Sequence, residues 1–160
     1  MARRVFFSFH YENDVWRANI VRNSWVMADA AGYVDAADFE EVKTGGDVAI
    51  KRWIDEQLAG TSVTVVLIGA ETSNREYIKY ELERSYEKGN GMLGIYIYQL
   101  KDRFGNTSKQ GSNLFGEIGK DVSGNPVYFS THYPCYDWVA DDGYNNLSAW
   151  IEAAAKKAGR

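Results

Sequence analysis

Hydrophobic positions along the chain mark out alternating strands and helices. Val5-Phe6-Phe7-Ser8-Phe9 is a short, nearly continuous apolar run, the pattern of a strand covered on both faces. From Asp14 to Met27 the spacing turns helical, with Trp16, Ile20 and Ser24 on one stripe, Val21 and Trp25 beside it, and Asp14 as the N-cap. Gly32 to Asp35 reads as a second short strand ending in an acid, and Ala36 to Gly46 as a polar loop. Asp47 to Leu58 places Ile50, Ile54 and Leu58 four apart, as a helix does. Val63 to Ile68 is β-branched and apolar and reads as a central parallel strand. Ser73-Asn74-Arg75-Glu76 has the form of a capping box, opening a helix that Gly89-Asn90-Gly91 ends near Lys88. Met92 to Tyr98 is a further strand. Lys101 to Pro126 reads as a long polar loop with Leu114, Phe115 and Ile118 as its apolar anchors. Val127 to Ser130 is expected as the last strand, Asp141-Asp142-Gly143 as a turn, and Leu147 to Ala158 as a helix capped by Asn145 or Asn146.

Strands that alternate with helices imply an α/β fold, a parallel sheet of about five strands with helices on both faces. No internal repeat or second domain is visible, so residues 1–160 read as one domain. Apolar residues at 45% and charged residues at 25% are ordinary globular values. The net charge of −4, with no basic block longer than a pair, disfavours nonspecific nucleic-acid binding. Cys135 is the sole cysteine, which excludes an intrachain disulfide and fits a reducing cytoplasm. Ser8 interrupts the first apolar run, leaving it too short for a signal peptide, and Val63 to Ile68 is far too short to span a membrane.

Ligands of open parallel sheets bind beyond the carboxyl ends of the strands. That rule selects Ser8 to Glu12, Asp35 to Gly46, Gly69 to Asn74, and Gln99 onward. The chain has no P-loop, since Gly119-Lys120 is followed by Asp121 and Leu114 stands where the first Gly is needed. No Gly-x-Gly-x-x-Gly follows the first strand, and no Gly-x-Ser-x-Gly elbow occurs. His10, His132 and Cys135 are too few and too scattered for structural zinc, so no metal is expected. Asp137, Asp141 and Asp142 lack an EF-hand pattern and read as turn and cap residues. On the helix ending at Lys88, Ile78, Leu82 and either Tyr86 or Ser85 define the core stripe. Glu81 falls at its edge, with Tyr77 one turn earlier on the same face. Spacing alone leaves two uses for Glu81: an ion pair at the helix edge, which is the commoner one, and a functional acid.

The chain resembles TIR (Toll/interleukin-1 receptor-like) domains in its first-strand box Val5-Phe6-Phe7-Ser8-Phe9, its loop from Asp35 to Asp47, and Tyr77-Ile-Lys-Tyr-Glu81-Leu82. Arg4 to Tyr11, Thr61 to Gly69, Glu87 to Asn90 and Tyr136 to Tyr144 are similar in particular to the TIR-like ThsB family of Thoeris anti-phage defence. This resemblance implies a flavodoxin-like, three-layer fold. It further implies an enzyme with NAD as its substrate and no separate cofactor. Such an enzyme cleaves the nicotinamide–ribose bond and releases a cyclic ADP-ribose-type signal for a ThsA effector. Glu81 would then be the catalytic glutamate, with Phe6, Ser8, Phe9, His10, Tyr11, Asp35 and Tyr77 around the substrate. Tyr77 stands where many TIR enzymes have Trp. Two other readings compete: a non-catalytic TIR-like module acting by self-association, and a phospho-receiver domain. The latter would need an Asp after the third strand, where Gly69-Ala70-Glu71 stands instead.

Overall fold

The computed structural model describes residues 3–24, 42, 44–74, 77–112 and 116–160. Its strands are β1 (Val5–Ser8), β2 (Val63–Ile68), β3 (Gly91–Tyr96), β4 (Glu117–Lys120), β5 (Pro126–Tyr128) and β6 (Cys135–Asp137). Its helices are α1 (Tyr11–Ser24), α2 (Gly46–Leu58), α3 (Ile78–Lys88), α4 (Phe129–His132) and α5 (Gly143–Lys157). Among the described residues β1, β2, β3 and β6 form one parallel sheet in the order β1-β2-β3-β6, while β4 and β5 form a separate antiparallel pair. Every residue of β1 and β2 is buried, as the unbroken apolar runs require of strands covered on both sides.

The two-residue period of a strand assigns the faces. Val5 and Phe7 of β1, with Val63, Val65 and Leu67 of β2, pack against Ala18 and Val21 of α1 and Leu147, Ile151 and Ala155 of α5. Phe6 points the other way, onto Ile54 and Leu58 of α2. Val66 and Ile68 share that second face with Ile78 and Leu82 of α3. Helices therefore cover both sides of the sheet, the three-layer α/β arrangement of a flavodoxin-like TIR fold. No helix of the described residues is long and apolar enough to cross a membrane.

Several elements depart from the reading of the sequence. Helix α1 starts at Tyr11, so Asp14 lies within its first turn and is not its cap. His10 caps it instead, its Nδ1 accepting the Asn13 N–H at 3.2 Å. Val127 is not in the main sheet. It belongs to the β4–β5 hairpin, whose Ile118 and Val127 bury against α3, and β4 occupies part of the stretch expected to be loop. The sheet's last strand is Cys135–Asp137, a three-residue, half-buried segment that the sequence pattern does not mark as a strand. It has no apolar run to announce it, because only a few rungs join it to β3. Helix α5 opens at Gly143, and Asp142 takes the left-handed conformation at its N-cap, with φ 53°. The Asn146 side chain donates to the carbonyls of Asp141 and Asp142, at 3.1 and 2.9 Å. Ser73 sits in a 3-10 turn, Thr72–Asn74, ahead of α3. Arg75 and Glu76 of the expected capping box lie outside the described residues, as do the strand Gly32 to Asp35, most of the loop after it, and Leu114 and Phe115.

Close approach of backbones fixes where α5 lies. A Cβ on Gly91, the first residue of β3, would overlap the carbonyl of Ala154 in α5. Since that obstacle is main chain within a helix, it cannot swing aside as a side chain would. Gly91→Ala is expected to destabilise the protein by about 1–3 kcal/mol through overpacking. Urea unfolding monitored by circular dichroism measures this, and an unchanged midpoint would show that α5 yields freely.

Candidate active site

The spacing of α3 puts Ile78, Glu81, Leu82 and Ser85 on its buried face. Ile78 and Leu82 join the apolar core, and Glu81 and Ser85 occupy the rest of the stripe. Glu81 is thus inside the stripe and not at its margin, and only 1% of it is exposed. Across from it stands Ser8, the last residue of β1, also buried. Strand alternation turns Ser8 to the same side as Phe6, and the Ser8 hydroxyl donates a hydrogen bond to Glu81 Oε2.

A line of buried polar groups continues from this pair. Asn90 Nδ2 donates to Thr64 Oγ1 at 3.2 Å, Thr64 and Ser85 share a hydroxyl contact of 2.8 Å, and Ser85 Oγ donates to the Glu81 carbonyl at 2.7 Å. Asn90 also donates to Thr61 Oγ1 at 3.0 Å, and Thr61 in turn donates to the Leu58 carbonyl. Each member has a partner, so the chain fixes the rotation and depth of α3 on the sheet. From the sequence Thr64 is not singled out, Asn90 reads only as part of the helix stop, and Ser85 only as a candidate for the core stripe. A hydroxyl amid β-branched apolar neighbours, as Thr64 is, was the one available signal.

The expected substrate-contacting residues divide between the two faces. Phe6 is buried on the Glu81 side, where the half-buried Tyr77 packs against the same cluster. Tyr77 also donates to Asp47 Oδ1, at 3.0 Å, linking the start of α3 to the first turn of α2. Phe9 lies on the opposite side, in the layer of α1 and α5, and Tyr11 packs on that layer with its ring 6.3 Å from Phe9. His10 caps α1. Asp35 lies outside the described residues. The structure therefore brings Phe6, Ser8, Tyr77 and Glu81 to one side and directs Phe9 and Tyr11 to the other.

A second polar cluster sits at the same end of the sheet. Asp14, in the first turn of α1, is 2% exposed and lies directly on Gly69, the residue after β2, where any Cβ would overlap its carboxylate. Its Oδ2 has no hydrogen-bond partner among the described residues. Burial pushes the Asp14 carboxyl above its ordinary range, and Arg17 and His10 pull it partly back. Because the folded value exceeds the unfolded one, ionising Asp14 costs stability. That cost is absent below the ordinary carboxylate range and grows as pH rises toward the folded value. Arg17, 5% exposed, places its Nη1 3.5 Å from Asp14 Oδ1.

No group of His, Cys, Asp and Glu among the described residues is arranged to hold a metal ion. Asp137 and Asp141 instead accept backbone amides: Asp137 Oδ1 from Val139 and Ala140, and Asp141 Oδ2 from Asp137.

One relative, from Bacillus cereus (strain MSX-D12), carries the name "Putative cyclic ADP-D-ribose synthase ThsB1". It is 40% identical over an alignment covering 94% of this chain and 100% of the relative. The family model described as "Thoeris protein ThsB, TIR-like domain" matches residues 6–102, a span that holds Phe6 to Ser8 of β1 and all of α3 with Glu81. The chain belongs to this TIR-like ThsB family of Thoeris proteins.

Proposed function

We propose that this protein cleaves the nicotinamide–ribose bond of NAD and closes the remaining ADP-ribose into a cyclic signal, which a ThsA-type effector reads. The observation that carries this reading is the Glu81 carboxylate, buried at the carboxyl end of β1 and oriented by the Ser8 hydroxyl. The 40% identical relative, with the activity in its name, supports it.

The chemistry asks little of the protein. Nicotinamide departs as a neutral ring with the bonding electron pair, so no general acid is needed there. What remains is a ribose cation of oxocarbenium character. A carboxylate beside it offsets the charge and orients the sugar hydroxyls, and it does so best where water is scarce. Glu81 meets that requirement through its burial, and Phe6 and Tyr77 supply apolar wall on the same side. A nucleophile within the same molecule, a nitrogen of the adenine or a hydroxyl of the second ribose, then attacks the cation and closes the ring.

Because Glu81 is almost wholly closed off, a ribose reaches it only when its surroundings open. We read this form as the resting state, to be opened by the infection or by self-association. A non-catalytic interaction module would need no carboxylate at position 81, and substitution separates the two.

Glu81→Gln keeps the size and the Ser8 contact but removes the charge. It is expected to fold normally and to lower NAD consumption at least ~100-fold, as loss of a transition-state electrostatic contact does. Mass spectrometry of nucleotides from phage-infected cells expressing either form gives the answer. Near-normal signal from a variant with a normal melting temperature would favour the interaction module. Ser8→Ala leaves the charge but removes a donor to it. Turnover should fall roughly 10-fold, the scale of one hydrogen bond to a charged group, with a smaller change in KM. Unaltered kinetics would show that Ser8 does not orient Glu81 for the reaction.

A further inference from the structure

The segment following β3 does not hang free. Arg17 Nε donates to the carbonyl of Leu100 at 2.7 Å, and Nη2 to the carbonyl of Asn106 at 2.9 Å. One buried guanidinium on α1 therefore grips two points of this segment, six residues apart. A planar fork suits such bridging, whereas an ammonium does not. The segment is shaped to present those carbonyls. Asp102 Oδ1 accepts the amides of Phe104 and Asn106, each at 2.9 Å, folding the chain back on itself. The Ser108 N–H returns to the Tyr98 carbonyl at 2.9 Å. Further on, Gly111 lies so close to Gly69 that a Cβ on it would overlap the Gly69 carbonyl.

These ties fall at the ligand-binding end of the sheet. Ser8 stands in register with Val66, and Gly69, the residue after β2, is three residues farther along the chain. At ~3.3 Å per residue, Gly69 and the segment resting on it lie about 10 Å beyond the Ser8 level. A dinucleotide with its ribose at Glu81 and its remaining length directed past the strand ends would run toward this wall. Asp14 completes the arrangement by lying between Arg17 and Gly69.

We propose that Arg17 is a positioning residue that clamps residues 98–112 as a fixed wall over the carboxyl end of the sheet, and that this wall favours ring closure over hydrolysis. The proposal rests on the NAD-cyclising reading above. After nicotinamide leaves, the ribose cation has two fates. Attack by the nucleophile within the molecule forms the ring and releases one proton. Attack by water forms linear ADP-ribose and also releases one proton. Both consume the same cation, so their ratio reports how well water is excluded and the adenosine end is held, independently of how fast the cation forms.

The test compares wild type, Arg17→Lys and Asp102→Ala as full-length proteins. Arg17→Lys keeps the charge opposite Asp14 but not the fork, and Asp102→Ala alters a surface turn far from Glu81 in sequence. Two readouts are taken: hydrogen exchange of residues 98–112 by mass spectrometry, and the linear-to-cyclic ratio of products from activated cells. Both variants are expected to melt near wild type, to exchange residues 98–112 about 10-fold faster, and to raise the linear-to-cyclic ratio about fivefold or more. Unchanged exchange would overturn the clamp. Faster exchange with a wild-type product ratio would overturn the wall's part in the reaction. Full rescue of both readouts by lysine would reduce Arg17 to a counter-charge for Asp14 and overturn the proposal too. Failure of the wild type itself to consume NAD would defeat the enzymatic reading and the product ratio with it, and exchange would still decide the clamp.

Discussion

One buried hydrogen bond, from the Ser8 hydroxyl to the Glu81 carboxylate, joins the first strand to the helix after the second. It forms because two periodicities meet. In β1, alternate residues turn to alternate faces, so Phe6 and Ser8 look toward α2 and α3. In α3, positions 78, 81, 82 and 85 share the buried stripe. An acid within a buried stripe costs free energy unless donors meet it, and a serine at the end of an otherwise apolar strand is such a donor. Register follows from the same pair. A slip of one residue in β1 would bring Phe7 toward Glu81 and Ser8 into the apolar layer of α1 and α5.

The polar line from Asn90 through Thr64 and Ser85 to the Glu81 carbonyl extends that constraint down the helix. Three elements contribute to it: β2, α3 and the turn before β3. Hydroxyls and an amide can be satisfied there only in one alignment of α3 on the sheet, whereas leucines would tolerate several. The apolar residues thus supply the driving force for packing α3, and these polar ones select its position. A carboxylate that has to act on a bound group needs this kind of support, because a shift of one ångström spoils its geometry.

Much of the fold was legible where residues are apolar and regular. Val5 to Ser8, Val63 to Ile68 and the strand from residue 91 were readable because parallel strands buried on both faces leave unbroken apolar runs. Cys135 to Asp137 was not, since an edge strand of three half-buried residues carries no such run, and Val127 drew the assignment by being β-branched near an aromatic pair. Its actual partner is β4, a hairpin packed on α3 and not part of the sheet. Glu81 could be placed on its stripe by arithmetic alone, but not its depth. Whether an edge position is covered depends on the opposing strand, and Ser8 is 73 residues away. Arg17 was invisible for a related reason. Its acceptors are main-chain carbonyls, which no residue pattern encodes, and its value lies in the loop it reaches.

The division of the first-strand motif has a consequence for how the site works. Phe9 and Tyr11 follow Ser8 directly, yet they pack in the layer of α1 and α5, away from Glu81. The chain leaving β1 therefore links the two layers at the end of the sheet where the substrate would bind. On one side it carries the donor to Glu81, and on the other it leads into α1, whose Asp14 and Arg17 reach β2 and the segment after β3. One short stretch, from the end of β1 through the first turns of α1, thus sets both the hydroxyl that meets Glu81 and the guanidinium that holds residues 100 and 106.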